Sequence, residues 1–165
     1  MALGAARILA VRTEELQDHS DGVLDVREIE RLHSMRVATR RLRAALEVFE
    51  PCFPSDLCAE ALADVKELAD VLGERRDRDV AIDSLTGFAG DLSAPDRRGV
   101  NGLVETLRLE QAEANEDLRP YVSGDRVARL CERLRELAAE AEAGAAQADA
   151  ARLALGSSGN GSGSM

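Results

Sequence analysis

His33-Ser-Met-Arg-Val-Ala-Thr-Arg-Arg-Leu-Arg43 is the stretch from which the fold can be read. At about 100° per residue of helix, His33, Arg36, Arg40 and Arg43 fall within roughly 80° of one another. Met35, Ala38, Leu42, Ala45, Leu46 and Phe49 gather on the opposite side. The segment is therefore a helix with one packing face and one cationic face. No Asp or Glu occurs between Arg31 and Leu46, although the 165-residue chain carries a net charge of -10. Two readings of such a stripe are open: a solvated helix face, the commonest fate of a charge run, or a site for an anion. A solvated surface helix ordinarily mixes signs at i±3 and i±4 to gain small pair energies, so the missing acids weigh against the solvated face and leave the two readings level.

Composition narrows the class. The length is that of one domain, which can bury roughly 70% of its unfolded surface and so hold a core of its own. Hydrophobic residues make up 45% of the chain but aromatics only 2%, with no Trp. That balance points to Ala/Leu/Val helix packing, hence an all-α fold, and away from an aromatic platform for stacking bases. The acidic net charge also argues against general nucleic-acid binding, which calls for a broadly basic surface. All but one of the 21 basic residues are arginine, the exception being Lys66. Cys52, Cys58 and Cys131 are odd in number and form no Cys-x-x-Cys pair, so neither a disulfide framework nor a zinc site is expected and a reducing cytoplasm fits. No apolar run is long enough to span a membrane, and the N-terminal residues lack the pattern of a signal peptide.

Outward from the basic helix, residues 2–17 predict a first helix that stops at the polar cluster Asp18-His-Ser-Asp-Gly22. Asp25, three residues before Glu28, resembles a capping box and predicts a second helix from 25 to 50, about 26 residues or roughly 39 Å, closed by Pro51. Pro51-Cys-Phe-Pro54 reads as a rigid turn, with Ser55 as the N-cap of a third helix that Gly73 interrupts and that resumes with a kink as far as Gly87. After a loop over 87–95, Ser93 and Asp96 open a fourth helix ended by Pro120. Ser123 caps a fifth, with Val127, Leu130, Cys131, Leu134 and Leu137 on one side and weak apolar contrast beyond. The expectation is a four- to five-helix bundle with short connections over residues 1–155, followed by a flexible Gly/Ser tail over 156–165.

Together with Leu72-Gly-Glu-Arg-Arg-Asp-Arg-Asp-Val80, the basic stretch resembles the CHAD family, the histidine-bearing α-helical domain associated with inorganic polyphosphate. The two blocks match in order and spacing, and a looser likeness runs from about residue 5 to about residue 137. CHAD proteins usually repeat the arrangement, whereas after Arg43 this sequence has no second histidine-bearing basic block. His19, in Gln17-Asp-His-Ser-Asp21, does not match the motif. The resemblance thus implies one half of a CHAD domain. It implies non-catalytic binding of inorganic polyphosphate through His33, Arg36, Arg40, Arg41 and Arg43, joined by Arg75, Arg76 and Arg78, with Asp77 and Asp79 orienting neighbouring arginines. Polyphosphate granules are the setting it suggests. A second copy is expected to complete the groove, giving a homodimer promoted by the ligand.

The residues support that chemistry independently. Arginines at i, i+4 and i+7 repeat bidentate donors along a linear polyanion, and polyphosphate has no bases that would demand aromatic side chains. His33 adds a donor able to become cationic near neutral pH. Lys66 is a weaker candidate, since Asp64 and Glu67 flank it. No phosphate-loop, His-Glu-x-x-His or Gly-x-Ser-x-Gly motif occurs, so neither enzyme nor cofactor is expected. Arginines around His33 would repel a metal cation. The competing class is a structural or protein-interaction bundle whose basic face docks an acidic partner.

Overall fold

The computed structural model describes residues 1–157. Five helices account for nearly all of it: α1 (Ala2–Asp18), α2 (Ile29–Phe49), α3 (Ser55–Ala89), α4 (Ala94–Leu118) and α5 (Gly124–Ser157). A single 3-10 turn, Glu50–Cys52, sits between α2 and α3, and no strand occurs among the described residues. The all-α expectation holds, with five helices joined by short connections. The expected Gly/Ser tail lies outside the described residues from 158 onward, and α5 itself reaches Ser157.

Packing order follows from which faces are apolar. α1 lies against both α2 and α5; α3 packs on α2 and α4 and, over a smaller area, on α5. Leu9 and Leu16 of α1, Leu32, Met35, Leu42 and Leu46 of α2, Val65, Leu68 and Leu72 of α3, and Cys131, Leu134 and Leu137 of α5 form one buried cluster, with Leu118 entering from α4. Its two buried threonines are satisfied locally: Thr13 and Thr39 donate to the carbonyls of Leu9 and Met35 at 2.8 and 2.9 Å. Burial pushes the Cys58 and Cys131 thiols above their ordinary values, and all three cysteines are free.

Three boundaries differ from those expected. The second helix starts at Ile29, so its 21 residues span about 32 Å instead of roughly 39 Å. The cause is local. The Asp25 carboxylate accepts from the backbone and side chain of Arg27, at 3.0 and 3.1 Å, and folds 25–28 into a turn. Gly22 makes the preceding bend at φ +71°, where a Cβ would meet the Arg31 side chain at 3.0 Å. Second, α3 continues through Gly73 and Gly87 without interruption for 35 residues. A helical glycine costs only about 1 kcal/mol, which the burial of Leu68 and Leu72 just before Gly73 overrides. Third, the loop that follows is confined to 90–93. Ser93 and Ser123 flank their helices as expected, but their hydroxyls turn to the Asp96 carboxylate (2.6 Å) and the Pro120 carbonyl (3.1 Å) instead of the helix amides.

α3 outlasts its bundle neighbours. Beyond Asp79 its only buried residue is Ala89, and α4 supplies only Val104, Ala114, Asn115 and Leu118 to the interior. Val80, Phe88 and Leu103 remain about half exposed on this two-helix extension. α4 is fastened at its far end, where the Asn115 side-chain amide donates to the Leu24 carbonyl at 3.0 Å.

Candidate functional site

α2 and α3 flank a groove of about 640 Å³. Its α2 wall is His33, Arg36, Arg40 and Arg43, the four residues placed on one stripe by helical phase. The opposite face of α2 is buried as that phase requires, from Leu32 and Met35 to Leu42 and Leu46. Arg36 and Arg40 are exposed and make no ion pair or side-chain hydrogen bond among the described residues. Arg43 donates to Glu47 at 2.9 Å, and Lys66 approaches the same carboxylate at 3.8 Å. The Arg43 hydrogen bond holds the Glu47 carboxyl below its usual range, with the Lys66 charge adding to the effect. His33 is half-buried, and its Nδ1 is shielded from solvent with no protein partner among the described residues.

The other wall reverses the charge. Asp70, Glu74 and Asp77 of α3 line it, together with Ala69 and Gly73. These acids stand at i, i+4 and i+7, one turn of α3 apart, as the arginines do on α2. No ion pair crosses the groove among the described residues, so a row of guanidiniums faces a row of carboxylates with open space between. Sequence reasoning passed over this wall. The periodicity was available, but an expected break at Gly73 separates Asp70 from Glu74 and Asp77 and hides their common phase.

The remaining expected residues go elsewhere. Arg41 projects to the α1 side of α2 and lines a smaller recess with His19 and Ser34, 3.9 Å from the Glu15 carboxylate. His33 borders that recess as well as the groove. Arg75 is fully buried and paired with the equally buried Asp79, whose Oδ1 also accepts from Gln111 of α4 at 2.6 Å. Both sit at the phase of Leu68 and Leu72, which face the core. Arg78 donates to the Glu74 carbonyl at 3.0 Å and lies 3.7 Å from Glu110 of α4. Arg76 is half-buried, with Nη1 shielded and without a protein partner among the described residues. Arg41, Arg75, Arg76 and Arg78 thus do not line the groove. Asp79 forms its ion pair with Arg75 inside the protein, while Asp77 faces the groove itself.

Fold and site together define an all-α bundle with a charged groove along one long helix. The family model described as CHAD domain matches residues 7–158, nearly the whole chain and well past residue 137, and the chain belongs to that family. CHAD domains are generally linked to polyphosphate and triphosphate binding. Neither a curated protein nor a solved structure matches the chain. No helix among the described residues is long and apolar enough to cross a membrane, and no group of three or more His, Cys, Asp or Glu side chains there could hold a metal ion.

Proposed function

We propose that the chain binds inorganic polyphosphate, without catalysis, along the α2 wall of the groove. One observation carries the reading: Arg36 and Arg40 stand exposed on the same face of α2, about 6 Å apart along the axis, with no acidic partner among the described residues. Their donors are free for the non-bridging oxygens of successive phosphates, and a planar guanidinium meets such oxygens two at a time. His33 and Arg43 extend the same row at either end. Arg41, on the other flank, adds charge near the groove without lining it, and Arg75, Arg76 and Arg78 lie outside its lining.

Titration with long-chain polyphosphate at low and moderate salt tests the reading, with single-stranded DNA as comparison. Affinity should fall steeply with ionic strength, by about one log unit of slope per neutralised phosphate. Affinity that does not change with salt would refute it.

Because only one wall is basic, a polyphosphate chain in the groove is clasped from one side. The same proposal therefore includes pairing of two copies around short chains, bringing a second α2 stripe to the vacant side of the ligand. Two such stripes repel each other without a polyanion between them. Size exclusion with light scattering should show dimers only when polyphosphate is added. A complex containing one protein molecule at saturating protein would rule pairing out.

The acidic wall favours a second reading, in which the groove receives a partner helix carrying both signs of charge. Polyphosphate affinity that is weak, and weakens no further on losing Arg36 and Arg40, would select it.

A further inference from the structure

Between α3 and α5 lies another recess, of about 190 Å³, lined on α3 by Asp64 and Leu68 in place of the groove's Asp70, Glu74 and Asp77. Its α5 wall is Arg126, Arg129 and Arg133, which share one face of the helix at i, i+3 and i+7. Two of the three are held in place. Arg133 Nη1 donates to Asp64 at 2.5 Å; Arg126 Nη2 donates to Glu67 at 3.2 Å, and its guanidinium lies 4.8 Å over the centre of the Tyr121 ring. Each of these contacts occupies one of the five N–H groups that a guanidinium offers. Arg129 makes no ion pair or side-chain hydrogen bond among the described residues.

Three guanidiniums thus meet two carboxylates, and the unmatched charge belongs to the residue with all its donors free. We infer that this recess is a second anion site, for a single phosphoryl-sized oxyanion, separate from the groove and independent of what the groove binds. The carboxylates of Asp64 and Glu67 do not defeat it, because each is already neutralised by an arginine and serves to fix that arginine's plane. A tetrahedral oxyanion accepts from donors arriving in several directions, which convergent guanidiniums supply. With less than a third of the groove's volume, the recess suits one such group and not a chain.

The composition supplies a reporter. Tyr121 is the only tyrosine and there is no tryptophan, so the protein's tyrosine emission comes from the wall of this recess. The full chain is titrated with inorganic phosphate at low ionic strength, followed by tyrosine fluorescence and by calorimetry. Saturable binding is expected, weakened about tenfold by Arg129→Gln, the loss of one charged hydrogen-bonding partner. That substitution breaks no ion pair, so circular dichroism and the melting temperature should not move. Arg108→Gln, at an exposed arginine of α4 that lines neither the recess nor the groove, should leave phosphate affinity as it was. The site is refuted by the absence of saturable binding in both measurements, by equal affinity in Arg129→Gln, or by a loss confined to Arg36→Gln with Arg40→Gln, which would assign the anion to the groove.

Discussion

Two arginine-rich segments of this chain, Arg36 to Arg43 on α2 and Arg75 to Arg78 on α3, look alike in sequence and are used in opposite ways. On α2 the guanidiniums at the phase opposite Leu42 and Leu46 stand in solvent, and the two central ones are unpaired. On α3 the first arginine falls at the phase of Leu68 and Leu72, becomes the largest fully buried side chain, and is matched by Asp79 one turn later. The difference teaches that the role of an arginine in a bundle is set by its angle to the apolar stripe, and that local arginine density says little. Buried, it is part of the scaffold; exposed and unmatched, it is available to a ligand.

Substitution should separate the two segments. Arg75→Leu leaves Asp79 as an uncompensated charge in the interior and should lower stability by about 3–5 kcal/mol in urea melts, while Arg75→Met with Asp79→Leu should recover most of the loss. A loss no larger than that of an exposed site, about 0.5 kcal/mol, would mean that Arg75 is not structural. Arg36→Glu with Arg40→Glu should abolish polyphosphate binding and leave the helical circular dichroism and the melt intact. Arg108→Glu with Arg119→Glu is the appropriate control, because both arginines, one on α4 and one at its C-terminal end, are exposed and paired with acids three residues earlier. If both pairs weaken binding equally, the α2 stripe has no special part. Asp70→Asn, Glu74→Gln and Asp77→Asn together should strengthen polyphosphate binding several-fold and flatten its response to salt little, since no cationic contact is added. Unchanged affinity would place the ligand away from the α3 wall. The smallest effect is expected at Gly73, where an added Cβ meets nothing within 4 Å. Gly73→Ala should stabilise α3 by about 0.5–1 kcal/mol, and a destabilised variant would show that the helix needs its flexibility there.

Much of this was legible in the sequence for a simple reason: periodicity carries phase. The basic and apolar faces of α2 follow directly from residue spacing, as does the buried side of α5 from Val127 to Leu137. The same rule places Arg75 and Asp79 with Leu72 and assembles the acidic wall, but only if α3 is read as one helix. Treating Gly73 as a break reset the phase at the point where it mattered. Arg41 shows the converse. It belongs to the motif by sequence, yet one residue of helix turns it about 100° from Arg40, toward α1. What could not be read is anything made by two distant segments, such as Arg133 meeting Asp64, or Gln111 reaching Asp79.

The unequal support of α3 has a consequence for how the molecule comes apart. Its first half is enclosed by α2, α4 and α5, whereas its last ten residues have α4 for company and bury a single alanine. A helix pair with so little interior opens without disturbing the rest, as a low-energy partial unfolding. A protease offered the folded chain should therefore cut first between residues 80 and 110, around the connection at 90–93, and leave a long-lived N-terminal fragment whose end lies near the Arg75–Asp79 pair. The same boundary should divide fast from slow amide exchange along α3, within one unbroken helix.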